Sequence, residues 1–564
     1  MDAQPLAVME ELENAGKHFR AALDQYLSVC SRMGDLSSSV LRNIPQKYMH
    51  HINAEIAHFS CYESKVKQAE AAVNQTRNRL SQLAPISSLP PEILGRIFQL
   101  VAKPCDLTVI NSEEPDSETS SSGESEDWNA DTDRPSKRRH KPALQLENFP
   151  THLDCLSRVC SYWRQLAINT HSLWTHVDLL PHKLLHKEFF SRADTYVARA
   201  GPLPIELHVA DINPLAYNEA YLRQFLRLIH NRIDTLNIAV TYEWRQFHTL
   251  ILDHFFSDHT SASTGLTKLT TSCSLEVDEF INWFEEPHNG FVHLTILHLH
   301  GMFPVWGSTA YHNLVDLRFT PASDTRWTRI SEPEFRRILE ASPRLRILHF
   351  ALHIVDRQPD DESVPPVQLH DLEAVSISTY RGSEHVILQP GYVLRMLAPG
   401  SKPLRLSICH RHHGDNFNDP VPGPEELFKF CQRSNIAKFC ARYSRPRLDQ
   451  LLCFASNLEE LALDACVFGW QSDDLLQRSN PATSRLNSLV LHRCSPSLEQ
   501  LEVLLEQYPT NSLILSGCYW EYIKDSGVRG PVRQIMDLLG KYPSTRFSFQ
   551  ASSPTANWNL IDCT

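Results

Sequence analysis

Two stretches decide the fold: Leu458-Glu459-Glu460-Leu461-Ala462-Leu463-Asp464-Ala465-Cys466 and Leu486-Asn487-Ser488-Leu489-Val490-Leu491-His492-Arg493-Cys494. Both read L-x-x-L-x-L-x-x-C. Leucines two positions apart on an extended chain point to the same side, so Leu461 and Leu463 face a core and the residues between them face away. The two stretches start 28 residues apart. That separation leaves room for a helix on the way back, as a parallel strand pair requires.

Working outward, the motif recurs as Leu266-x-x-Leu269, Leu294-x-x-Leu297-x-Leu299, Leu314-x-x-Leu317-x-Phe319, Leu345-x-x-Leu348-x-Phe350 and Leu372-x-x-Val375-x-Ile377. Leu513-x-Leu515 with Cys518 is a shorter copy. Helical periodicity fills the gaps at 334–341, 424–433, 447–456, 498–508 and 532–542. Pro343, Pro509 and Pro543 stop three of these before the next strand. Strand and helix alternating at this period is the pattern of leucine-rich-repeat solenoids, which the chain resembles in degenerate form. The resemblance implies an α/β solenoid over 181–564, with a curved parallel sheet and outer helices. Cys466, Cys494 and Cys518 fall where the repeat takes Asn or Cys, and read as small buried residues at the strand-to-loop turn.

With the leucines inward, His298, His300, Asp316, Arg318, His349, Ser376, Arg405, Glu460, Asp464 and His492 occupy the opposite, concave face. This is either an ordinary polar sheet surface or a surface that reads a protein substrate, with histidine charge changing between about pH 5 and 8. His410-Arg411-His412-His413 has no partner at ligand spacing and reads as a solvated loop; no metal or cofactor is expected.

At the other end, 3–33 and 46–84 carry helical patterns around a turn-like 34–39 and Pro45. Ile52, Phe59, Val66, Val73 and Leu80 recur every seven residues, beside a weaker row of Tyr62, Ala69, Thr76 and Leu83. One good seam and one poor one imply a helical hairpin within 1–84 or a marginal coiled coil between copies.

Between these regions, Leu89-Pro90-Pro91-Glu92-Ile93-Leu94 opens a helix: Pro91 sits near its first turn, Glu92 complements the dipole, and Ile93, Leu94, Ile97, Phe98 and Val101 mark an apolar face. A second helix is expected over 153–168, with Leu156, Val159, Cys160, Trp163 and Leu166 on one stripe, followed by Leu173-Trp174. L-P-x-E-I-L joined to V-C-x-x-W-R and L-W resembles an F-box, and is similar to the F-box-like proteins of mushroom-forming fungi. It spans 85–180 as a small all-α bundle. The resemblance implies docking to a Skp-type adaptor, and through it to a cullin, by Leu89, Pro90, Pro91, Ile93, Leu94, Ile97, Phe98, Val159, Cys160 and Trp163.

The departure from the family pattern is an insertion at 103–148, with eleven acids against six Lys and Arg. It is too polar to offset the entropy of ordering and is expected to be disordered. It is either a tolerated loop or a regulatory segment, with serines beside acids and a possible nuclear-import cluster at Lys137, Arg138, Arg139 and Lys141.

Composition excludes more than it assigns. The 564 residues carry a net charge of −12, against a general nucleic-acid coat. No apolar run reaches the length of a membrane span, and the acidic start lacks signal-peptide character, so an intracellular protein of cytoplasm or nucleus is expected. Fourteen cysteines without a single C-x-x-C give no disulfide framework or zinc ribbon. Phosphate-loop, dinucleotide, nucleophile-elbow and zincin motifs are missing. With these classes set aside, the F-box resemblance implies a non-enzymatic substrate-recognition adaptor of a cullin–RING ubiquitin ligase. The alternative is an interaction scaffold whose F-box-like helices never enter a ligase.

Overall fold

A computed structural model describes residues 3–35, 46–79, 86, 89–102, 152–179, 186–210, 219–240, 246–256, 265–273, 291, 293–322, 328–356, 365–381, 388–412, 424–443, 457–466, 485–518 and 530–550. The chain forms two compact units. Met1–Leu94 and Arg158–Arg164 make one; Gly95–Ser157 and Gln165–Thr564 make the other. No helix among the described residues is long and apolar enough to cross a membrane.

The larger unit is an α/β array around one sheet of fourteen strands: β1 (His176–Leu179), β2 (Ile205–Ala210), β3 (Ile233–Val240), β4 (Lys268–Cys273), β5 (Ile296–His300), β6 (Asp316–Thr320), β7 (Ile347–Phe350), β8 (Ala374–Arg381), β9 (Leu404–His412), β10 (Ile436–Arg442), β11 (Glu460–Asp464), β12 (Ser488–His492), β13 (Ser512–Ser516) and β14 (Arg546–Gln550). Within this sheet the strands stand in chain order and every pairing is parallel. Such an order is solenoid-like: each repeat adds one strand beside the last.

Register fixes the core. Leu236, Leu269, Leu297, Leu317, Leu348, Val375, Leu406, Phe439, Leu461, Leu489 and Leu513 stand in one cross-strand row. All are buried, each contributing about 1.5–3 kcal/mol of side-chain transfer. Helices cover this side. Within Glu332–Ala341, capped by a Ser331–Glu334 box, Phe335 meets Phe350 of β7 at 4.4 Å between ring centroids.

The residue after the strand is left-handed in several repeats: Gly301, Tyr443, Ala465, Arg493 and Gly517. There the N–H groups of Tyr443, Ala465 and Arg493 donate to the carbonyls of Asp464, His492 and Ser516, extending the ladder one residue past each strand. A side chain on Gly301 would put Cβ 2.4 Å from the Cys273 carbonyl oxygen, so only glycine fits. The cysteines follow directly. Cys466, Cys494 and Cys518 Sγ donate to the carbonyls of Ala441, Leu463 and Leu491 at 3.2, 3.3 and 3.2 Å, each reaching back one strand.

Three expectations are corrected. The helix over 153–168 is two helices, His152–Val159 and Ser161–Asn169: Cys160 leaves the helical path, and its sulfur accepts the Trp163 N–H as a cap for the second. His410, Arg411 and His412 belong to β9 and not to a loop, because the strand runs on past its apolar part. The sheet begins at His176, inside the stretch read as helical, since Val177 and Leu179 pair with Leu207 and Val209.

In the smaller unit, α1 (Ala3–Gly34) and α2 (Gln46–Arg79) are long helices, with Tyr26 edge-on to Phe59 and donating to Glu55. Phe59, Tyr62, Val66 and Val73 remain exposed. Leu80, Leu83, the 103–148 insertion with its basic cluster, His413 and the helix expected at 447–456 lie outside the described residues.

Candidate functional site

The residues alternating with the core rows gather on the opposite sheet face. His298 of β5, Arg318 of β6, His349 of β7 and Ser376 of β8 are register neighbours in one row, with Asp316 and Arg405 in the row beside it. Asp316 is the hub. Its Oδ2 lies 3.2 Å from His298 Nε2, and Arg318 donates to both of its oxygens, from Nε at 2.9 Å and Nη2 at 2.8 Å.

Burial pushes the His298 imidazole down, more than Asp316 lifts it. For Asp316, burial would raise the carboxyl, but His298 and Arg318 hold it below the usual carboxylate range. His492 is likewise lowered, by burial first and then by Arg493, against the pull of Asp464. Two of the expected histidines thus hold their protons less firmly than a free imidazole does. His300 closes β5 at the edge of the same face, half-buried, and His349 is buried.

Farther along, Glu460 meets Lys438 of β10 at 3.0 Å. Asp464 is buried and pairs with Arg442 at 2.8 Å, accepts from Arg493 Nε and Nη2 at 2.9 Å each, and lies 4.0 Å from His492. The face also changes character here. Its central row runs Ser407, Cys440, Ala462, Val490 and Ile514, and the middle three are buried. The expected residues therefore gather at β5–β9 and at β11–β12, joined along a flanking row in which Arg405 stands beside Lys438 and Lys438 beside Glu460.

The helix Pro91–Val101 sorts the docking candidates by exposure. Leu94 and Phe98, one turn apart, are fully buried and belong to the core. The neighbouring stripe is open: Ile93 is 51 % exposed, Ile97 half-buried, Leu100 61 % exposed and Val101 exposed. Pro90 and Pro91 are exposed and Leu89 half-buried; Val159 is exposed, and Cys160 and Trp163 are half-buried. The end of this helix meets the turn before β1, where Gln99 Nε2 donates to Ser172 Oγ at 3.0 Å. Next to Ser172, Trp174 is fully buried and donates from Nε1 to the Ala167 carbonyl at 2.7 Å.

No family model and no curated protein matches this chain. The site must be read from its own chemistry.

Sequence reasoning missed Leu100, which completes the open helix stripe, and the start of the polar face: His176, Asp178, Glu206 and His208. The signal was present. His176-Val177-Asp178 and Glu206-Leu207-His208 are alternating pairs 30 residues apart, one repeat, but neither strand carries the leucine motif.

Proposed function

We propose that this chain is a non-catalytic docking protein: the substrate-recognition adaptor of a cullin–RING ubiquitin ligase. In this reading the helical segments 86–102 and 151–180 dock a Skp-type adaptor, and the polar sheet face takes a protein substrate. Holding the target near a transferring enzyme raises its effective concentration without chemistry by this chain.

The supporting observation is the helix Pro91–Val101. A helix with one apolar stripe needs only a core; this one has Leu94 and Phe98 buried and a second stripe of Ile93, Ile97, Leu100 and Val101 turned outward. Apolar side chains grouped in this way on a surface mark an interaction site. Burying the exposed half of Ile93 and of Leu100 under a partner is worth about 1–1.5 kcal/mol each.

The test is co-purification of the full-length chain with a Skp-type adaptor and a cullin. The wild-type chain should retain both, and the Ile93→Asp, Leu100→Asp double variant should lose both while keeping its circular dichroism spectrum. Failure of the wild type to retain the adaptor overturns the reading. Retention of the adaptor without a cullin favours the interaction-scaffold alternative.

A further inference from the structure

We propose that His176, Asp178 and His208 bind one divalent transition ion of the zinc class, bridging the first two strands of the sheet. The backbone creates the site. β1 and β2 pair in parallel with His176 opposite Glu206 and Asp178 opposite His208. Alternation then places all four on the face turned away from buried Val177, Leu179, Leu207 and Val209.

The donor atoms are already close. Asp178 Oδ1 lies 3.0 Å from His176 Nε2 and 3.4 Å from His208 Nδ1, and all three ligand atoms fall within 4.8 Å of one another. Donors around a tetrahedral zinc ion with bonds of about 2.0–2.2 Å stand about 3.3–3.5 Å apart. Small rotations of the imidazoles would reach that spacing. His208 Nδ1 is buried and faces Asp178 Oδ1, the oxygen with which it would share the ion, without closing a well-aligned hydrogen bond to it.

The surroundings suit a cation. Glu206 Oε2 lies 3.3 Å from Nδ1 of His176, the nitrogen not aimed at Asp178, and Asn237 Nδ2 steadies Glu206 with a 2.9 Å hydrogen bond to Oε1. A carboxylate behind a ligating imidazole fixes its orientation and raises its basicity. Two cations stand nearby. Arg192 Nη1 approaches the other oxygen of Asp178 at 3.9 Å but is engaged by Asp154 at 3.2 Å; Lys268 of β4 acts on Glu206. The two carboxylates of Asp178 and Glu206 balance a divalent charge.

Two imidazoles and one carboxylate select a zinc-class ion over magnesium or calcium, and three protein ligands leave a position for water. The repeat cysteines compete poorly, because burial pushes the Cys494 and Cys518 thiols up and both already donate to carbonyls. The bound ion would fasten β1, the edge strand, to β2.

The test is titration of the chelator-treated full chain with zinc chloride, followed by calorimetry, with cobalt(II) chloride as a spectroscopic probe. One ion per chain should bind. Asp178→Asn and His208→Ala should each weaken it at least ten-fold, and Glu206→Gln, which removes no ligand, about ten-fold. Cobalt should give visible d–d bands of four-coordinate strength without near-ultraviolet thiolate charge transfer. Circular dichroism checks that each variant is folded. Zinc affinity unchanged in a folded His176→Ala, His208→Ala variant overturns the proposal, as does a cobalt spectrum dominated by thiolate bands.

Discussion

Asp464 shows how unequal two partners of one buried charge can be. The acid is 1 % exposed and Arg442, which pairs with it, is 8 % exposed, whereas Arg493 reaches in from a side chain that is 42 % exposed. Removing the carboxylate takes a 2.8 Å ion pair from the buried Arg442 and the acceptor from Arg493, so Asp464→Ala should cost about 3–5 kcal/mol in urea unfolding. Arg493→Gln takes away a solvent-screened partner and should cost about 1 kcal/mol or less. The next residue, Ala465, has φ 48°, a left-handed conformation that costs an L side chain about 1–2 kcal/mol. Ala465→Gly relieves that cost and adds about 0.4–1 kcal/mol of unfolded-chain entropy. The glycine variant should therefore be more stable by about 0.5–1 kcal/mol, measured in the same titration. His298 and Asp316 set a pH dependence at this scale. Folding lowers the imidazole's affinity for protons, so below about pH 6.5 the unfolded chain binds more of them and stability falls with acidification. The lowered Asp316 carboxyl adds a second loss as pH drops through about 3.9. His298→Gln should shallow the decline of the thermal midpoint between about pH 6.5 and 5, and should reduce the lower one without abolishing it, because Arg318 still holds the Asp316 carboxyl down.

Among the elements, Pro91–Val101 makes the sharpest contrast. Phe98→Ala empties a fully buried site and should cost about 3–5 kcal/mol; Ile93→Asp on the open stripe should change the unfolding free energy by no more than about 0.5 kcal/mol. That this segment is a helix was legible from Pro91, Glu92 and the apolar spacing. Which apolar residues it buries was not, because two stripes at helical spacing look alike until a neighbour covers one. The strands β4–β8 and β11–β13 were equally legible: their leucines face one way, and Leu297, Leu317, Leu348, Leu461 and Leu489 share a row. The strands β2, β3 and β10 had no such mark. Ile205-Glu206-Leu207, Ile233–Val240 and Ile436–Arg442 use Ile, Val, Phe and Ala in place of the leucines, and register against a neighbour, which makes them repeats, is not written in one strand. The polar face was read in the right alternation from β5 onward, and its opening at His176 was lost with the unmarked strands.

For the molecule as a whole, fourteen parallel strands in chain order mean that stability is passed from each repeat to the next. Each strand of the sheet hydrogen-bonds only to the strands beside it, so no strand pairing links distant repeats among the described residues. A strand in the middle of such an array is held on both edges and by its own buried row, as Leu317, Phe319, Leu348 and Phe350 are. The last described strand is held on one edge, by β13, and Phe549 on it is 58 % exposed. Opening β14 forfeits one interface; opening β7 forfeits two and uncovers Phe335. Native-state hydrogen exchange should therefore be graded along the chain, slowest for the amides of β6–β9 and fastest for Arg546–Gln550, with Ser512–Ser516 between them. Leu348→Ala should speed exchange in β6 and β8 more than in β13. Equal protection from β6 to β14, with one common opening rate, would mean that the sheet opens as a block and that its repeats are not independent partners of their neighbours.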